Sequence, residues 1–120
     1  MFNFREILEE AIKNGGATLH AKSMKSANYK TGYMVSVMDF KTIVLNYEQD
    51  ILEALEEAQV KALALNTCVG LWIDEGKIYI DFSKNFEELE EALEFAKANK
   101  QLAIWDIANN SSIYLDTEEA

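Results

Sequence analysis

The sequence contains no proline, one cysteine and one histidine, and these shortages exclude several kinds of protein. Without proline there is no sign of a stiff linker, so we expect residues 1–120 to form a single domain. Because Cys68 is alone, no disulfide can form within the chain, which is typical of proteins in a reducing cytoplasm. His20 and Cys68 together are too few for a zinc site built from histidine and cysteine clusters.

Positive charge is also scarce, since 21 acidic residues stand against 11 basic ones and the net charge is −10. Residues 42–120 hold 17 acids and 5 bases, whereas residues 20–41 hold four lysines and one aspartate. A surface this acidic repels the phosphates of nucleic acids and membranes and attracts basic partners. We therefore expect a basic, mobile loop at about residues 20–31, a short acidic tail at 116–120, and a host protein with a basic surface as the partner.

Long apolar runs are missing as well. No stretch approaches the ~20 residues that cross a bilayer, and the N-terminal residues lack the basic and apolar regions of a secretion signal. We expect a cytoplasmic protein that binds neither membranes nor nucleic acid, uses no cofactor, and is a monomer or a homodimer.

The spacing of apolar residues predicts three helices. Each is preceded by an asparagine that can cap its first turn: Asn3, Asn46 and Asn85. The three helices end near residues 14, 65 and 98.

Segments rich in β-forming residues lie between these helices. They are residues 17–19, 33–38, 42–45, 68–73, 78–82, 102–107 and 112–115. The sequence at 74–77 contains Gly76 and predicts a tight hairpin turn, and Asp39–Lys41 is predicted as a second turn. Strands joined by such short turns are antiparallel, so we predict an α+β fold, with a mostly antiparallel sheet of about five to six strands and three helices packed on it.

The outer faces of the second and third helices are rich in glutamate. The residues that we expect to bind a partner are Glu53, Glu56, Glu57, Glu87, Glu88, Glu90, Glu91 and Glu94. Such faces usually serve only solubility, and the functional interpretation is mimicry of nucleic acid. The predicted second helix is about 28 Å long, and a duplex of the same length carries about 16 phosphates, whereas the helix carries five acids. This density suits blocking of a basic protein groove rather than replacement of a duplex.

Six aromatic residues lie on strands or at the start of the third helix: Trp72, Tyr79, Phe82, Phe86, Trp105 and Tyr114. We expect most of them in the core. Trp72 alternates with Leu71 and Ile73, so we expect it to be partly exposed and able to anchor a partner. The alternative function is a small-ligand or nucleotide-binding module, with a pocket lined by Trp72, Tyr79 and Trp105.

Groups able to perform catalysis are few. Cys68 and His20 are the only candidates for a thiol nucleophile and its base, and a thiol in an apolar strand is inert. Three aspartates near strand ends are a candidate Mg²⁺ site: Asp74, Asp81 and Asp106. Asp81 alternates with apolar neighbours, however, so we expect it to point to solvent. Glycine-rich phosphate-binding motifs are absent from the sequence, and we expect no enzymatic activity.

Three segments resemble small accessory proteins encoded by phages, plasmids and integrative elements of Gram-positive bacteria. They are KTGYMVSV at 30–37, VGLWIDEGKIYIDFS at 69–83 and QLAIWD at 101–106. The resemblance spans about residues 15–107, and it implies a role in counter-defence of the anti-restriction or anti-CRISPR type. No functional residue is carried over from it.

Overall fold

The computed structural model describes residues 3–115, and this part of the chain contains three helices and six strands. In chain order they are α1 (Phe4–Asn14), β1 (Gly16–Leu19), β2 (Tyr33–Val44), α2 (Glu48–Leu65), β3 (Cys68–Asp74), β4 (Lys77–Phe86), α3 (Leu89–Ala98), β5 (Ala103–Asp106) and β6 (Ser111–Tyr114). The strands form one sheet in the order β1-β3-β4-β2-β5-β6, and every neighbouring pair is antiparallel. The predicted α+β fold is confirmed.

All three helices pack on one face of this sheet, over two clusters of buried apolar side chains. The larger cluster lies under α1 and α2 and includes Phe82 of β4, which is completely buried. The smaller cluster lies under α3 and includes Val35 of β2 and Ile104 of β5. Phe86 packs against this second cluster from the same side of β4 as Phe82, because alternate residues of a strand share a face. Among residues 3–115, no helix packs on the opposite face of the sheet, which is called the helix-free face below.

β2 is one long strand, so the predicted turn at Asp39–Lys41 is wrong. It pairs with β4 along most of its length, with register shifts that leave Val37 and Phe40 without register partners. Extra residues of this kind are β-bulges, which bend a strand and increase its twist. The polar residues Asp39 and Lys41 therefore lie at a bend within β2 and do not end the strand.

Only the first of the three predicted helix caps is present. The Oδ1 atom of Asn3 accepts a hydrogen bond of 3.1 Å from the backbone N–H of Glu6. α2 begins two residues after Asn46 and has no side-chain cap, and Asn85 lies within β4. Residues 83–86 pair with the start of β2, and this sheet pairing outweighs the local capping signal.

We expect Asn3→Ala to lower the free energy of unfolding by about 1 kcal/mol, because it removes a cap from the first turn of α1. Asn46→Ala is the matched control, and we expect it to change stability by less than about 0.5 kcal/mol. Urea denaturation of both variants measures the difference. Equal losses for the two variants would contradict the capping role of Asn3.

The basic segment at 20–31 lies between β1 and β2, outside the helices and strands, and several contacts join it to the rest of the domain. Met24 is 1% exposed within the larger apolar cluster. The backbone N–H of Ala27 donates to the carbonyl of Thr18 at 2.8 Å, and the amide of Gln59 in α2 donates to the carbonyl of Ala21 at 3.0 Å. The loop lysines remain exposed, namely Lys22, Lys25 and Lys30.

The predicted acidic tail at 116–120 lies outside the described residues. Within residues 3–115, no helix is both long enough and apolar enough to cross a membrane.

Candidate functional site

The eight glutamates that we expect to bind a partner are all exposed. Six of them lie on helices, namely Glu53, Glu56 and Glu57 on α2 and Glu90, Glu91 and Glu94 on α3. Glu87 and Glu88 precede α3 instead of belonging to it, which corrects their predicted place in the third helix. The reason is that β4 continues through Phe86.

Few of these carboxylates have a basic neighbour. Within residues 3–115 there are two ion pairs, one joining Lys41 Nζ to Glu57 Oε2 at 2.8 Å and the other joining Arg5 to Glu48 at 3.8 Å. Of the eight glutamates, Glu57 alone takes part in either pair. α2 and α3 pack over different apolar clusters, so the acids form two surfaces, and both are largely free to meet a basic partner.

The helix-free face of the sheet forms a groove of about 500 Å³ that receives residues from all six strands. Its lining includes several small side chains, among them Thr18, Ser36, Ser83, Ala103 and Ser112. Trp72 and Trp105 also line it, with 63% and 41% of their surfaces exposed. The predicted exposure of Trp72 is observed, whereas its role as a partner anchor stays a prediction. The groove as a whole was not predicted from the sequence, because it depends on the strand order and on the bend of β2.

The prediction that most of the six aromatic residues belong to the core is wrong. Phe82 is fully buried and Phe86 is partly buried, whereas the other four are exposed: Trp72, Tyr79, Trp105 and Tyr114. The predicted pocket is also only partly assembled, since Trp72 and Trp105 share the groove but Tyr79 lines a neighbouring depression. These four lie on the helix-free face, where alternation along each strand places them away from the helices.

Asp81 also lies in the groove. It points away from the core as expected, but it is partly buried instead of fully in solvent. Gly70 is its register partner on β3, and a Cβ atom at Gly70 would overlap the carboxylate, so this carboxylate lies directly above the glycine. Burial, together with the negative charge of Asp39 opposite on β2, raises the pKa of Asp81 to about 6.

The three aspartates considered as a Mg²⁺ site do not come together. Asp74 ends β3 opposite Lys77, and Asp106 lies on the helix-bearing face, whereas Asp81 lies on the other face. Asp106 also accepts a hydrogen bond of 2.7 Å from the side chain of Asn109. Among residues 3–115, no group of three or more His, Cys, Asp or Glu side chains is placed to hold a metal ion.

The possible pair of Cys68 and His20 is separated by Tyr29. The hydroxyl of Tyr29 lies 3.8 Å from Cys68 Sγ, and its ring packs edge-on against His20 with 5.8 Å between the ring centroids. Burial raises the pKa of the Cys68 thiol, although the hydrogen bond with Tyr29 opposes this effect. The thiol is therefore protonated at neutral pH, which is the opposite of what a nucleophilic cysteine requires.

No family model, curated protein or solved structure matches this chain. The resemblance to proteins of mobile elements stays a prediction. Two surfaces are left as candidate sites: the exposed glutamates and the groove between Trp72 and Trp105.

Proposed function

We propose that this protein is a small, non-enzymatic inhibitor from a phage or mobile element that binds a basic groove of a host nuclease or defence effector. It acts in the cytoplasm of the bacterial host and blocks its target sterically. The observation that supports this proposal most strongly is the set of glutamates on and before α3, which are exposed and have no basic partner among the described residues.

Exposed carboxylates of this kind are well suited to protein recognition. They favour a partner of opposite charge, increase the rate of association, and make binding sensitive to salt. Trp72 supplies an exposed aromatic side chain on the other face of the domain, and such residues often anchor interfaces. Neither surface requires a catalytic group, which agrees with a steric mode of inhibition.

Two triple variants of equal net charge test the proposal. The first replaces Glu90, Glu91 and Glu94 of α3 with glutamine. The matched control replaces three exposed acids elsewhere with glutamine, namely Glu6, Glu9 and Glu75. Tagged wild type first isolates the partner from a host lysate, and the purified partner is then titrated with each variant.

We expect the α3 variant to bind this partner about tenfold more weakly than the wild type, since three interfacial charges at about 0.5 kcal/mol each sum to about 1.5 kcal/mol, and about 1.4 kcal/mol is a factor of ten. The control variant should bind within about threefold of the wild type, because it alters only the overall charge. Equal weakening in both variants would show that net charge alone matters. Unchanged binding of the α3 variant would show that this helix is not the interface.

The small-ligand alternative is favoured by one specific observation, the groove that brings Trp72 and Trp105 together. A metabolite that binds there should change tryptophan fluorescence, whereas a protein that acts only through its glutamate faces should give no such response.

A further inference from the structure

The Asp81 carboxylate lies in the groove, and no basic side chain among residues 3–115 forms an ion pair with it. Among the described residues that line the groove, none is basic and Asp81 is the single acid. Asp39 is its register partner on β2, and like charges directly opposite each other destabilise a sheet. Lys41 lines the neighbouring depression, but its ammonium group is bonded to Glu57 at 2.8 Å. This arrangement leaves a carboxylate that a cation from outside the protein would stabilise.

Two tryptophans accompany this carboxylate. Trp72 lies two residues beyond Gly70 on the same face of β3, and diagonal neighbours of this kind are about 7–8 Å apart, within reach of an aromatic side chain. Its ring extends over Gly16 of β1, where a Cβ atom would lie 3.4 Å from Cε3. Trp105 lines the same groove from β5. The groove therefore offers aromatic surface and a negative charge together.

Guanidinium groups fit this combination best. A guanidinium is planar, stacks on aromatic rings and forms paired hydrogen bonds with a carboxylate, whereas the ammonium of lysine is a compact and strongly hydrated charge. A phosphate-bearing ligand would meet the Asp81 charge and the overall charge of −10. A second copy of this protein is a poor source of the guanidinium group, because Arg5 is the one arginine in the sequence and lies 3.8 Å from Glu48.

We infer that the groove binds an arginine side chain of the basic partner, with its guanidinium on Asp81 and against Trp72 and Trp105. That the arginine comes from a partner protein rests on the proposed function. The chemistry of the groove does not, because a short peptide can test it directly.

The test uses two capped tripeptides, Gly-Arg-Gly and Gly-citrulline-Gly, since citrulline has the shape of arginine without its charge. Binding is followed by NMR through the two tryptophan indole N–H signals, at low salt near pH 7. We expect the arginine peptide to shift both signals and to bind at least about fivefold more tightly than the citrulline peptide. In Asp81→Asn, the arginine peptide should bind about tenfold more weakly and lose most of this advantage.

A second variant tests whether Asp81→Asn weakens arginine binding directly. Gly70→Ala keeps the carboxylate but places a methyl group where it now lies, and we expect it to weaken arginine binding as well. Equal binding of the two peptides, no effect of Asp81→Asn, or no shift of either indole signal would overturn the inference. It would also fail if adenosine monophosphate bound instead, or if the indole signals changed with protein concentration alone. The glutamate variants of α3 leave the groove intact, so failure of the proposed function is seen separately.

Discussion

Replacing Asp81 with asparagine should increase the free energy of unfolding near pH 7 by up to about 3 kcal/mol. The reason is that the folded protein holds this carboxylate partly buried and opposite Asp39, which raises its pKa from 3.8 to about 6. Asparagine has nearly the same shape as the protonated acid but carries no charge. The variant therefore keeps the contacts of the groove and removes the cost of the buried charge.

The stability gain should depend on pH in a defined direction. Because the folded protein binds this proton more tightly than the unfolded chain, the wild type loses stability as the pH rises from about 4 to about 6, and little more above about 7. Asp81→Asn lacks this titration. The difference between the two proteins should thus be near zero at about pH 4 and reach its full size near neutral pH.

Urea denaturation of both proteins at several pH values measures this difference, in which the other titrating groups cancel. Glu56→Gln is the control, since it neutralises an exposed carboxylate on α2 and should change stability by less than about 0.5 kcal/mol. Asp39→Asn should raise the free energy of unfolding by more than Glu56→Gln but by less than Asp81→Asn, because it removes only the charge opposite Asp81. A variant of Asp81 that is no more stable than the wild type near pH 7 would show that the carboxylate is better solvated than its position indicates.

A stability cost at this position agrees with a binding role. Residues kept at the expense of stability are common where a ligand later satisfies them. Here the carboxylate lies in a groove that two exposed tryptophans, Trp72 and Trp105, also line. Asp81→Asn is expected to stabilise the fold and weaken arginine binding, so the two measurements separate a functional role from a structural one.

The sequence predicted the elements of this fold well where local and tertiary preferences agree. The stripe of apolar residues in α1 and its Asn3 cap gave the first helix within its observed bounds. The run at 68–82 gave the β3–β4 hairpin, since both strands alternate strongly and a short turn joins them. Predictions were wrong where distant pairing changed the outcome. Asp39–Lys41 and Asn85 have turn and capping signals, yet both are held in strands by pairing between β2 and β4.

The two candidate sites also differ in how far the sequence predicts them. Exposure of the six glutamates on α2 and α3 follows from helical spacing, so the sequence identified them. The groove requires Gly70 and Asp81 to be partners across two strands, and it requires Trp105 to reach the same surface from β5. Alternation of a single strand placed Trp72 and Asp81 on the outer side of their strands. This alternation does not show that Trp72 and Asp81 line the same groove, because strand order and bend are properties of the whole sheet.

Gly32→Ala should be among the most destabilising single changes in this protein, with a loss of about 3 kcal/mol. Gly32 has a φ of +92°, which costs an alanine about 1–2 kcal/mol. In addition, a Cβ atom there would lie 2.7 Å from the carbonyl oxygen of Phe86, a backbone atom that cannot turn away. The carbonyl of Gly32 also accepts a hydrogen bond from the N–H of Ile107 at 3.1 Å, so a shift at Gly32 disturbs the connection after β5.

Gly76→Ala is a matched comparison for this prediction. Gly76 also has a positive φ, of +75°, but a Cβ atom there meets no atom within 4 Å. We expect it to lose about 1–2 kcal/mol, from the backbone conformation alone. The excess loss in Gly32→Ala, measured by urea denaturation, isolates the contact with Phe86. Equal losses would mean that the end of β4 moves aside easily when a Cβ atom is added at Gly32.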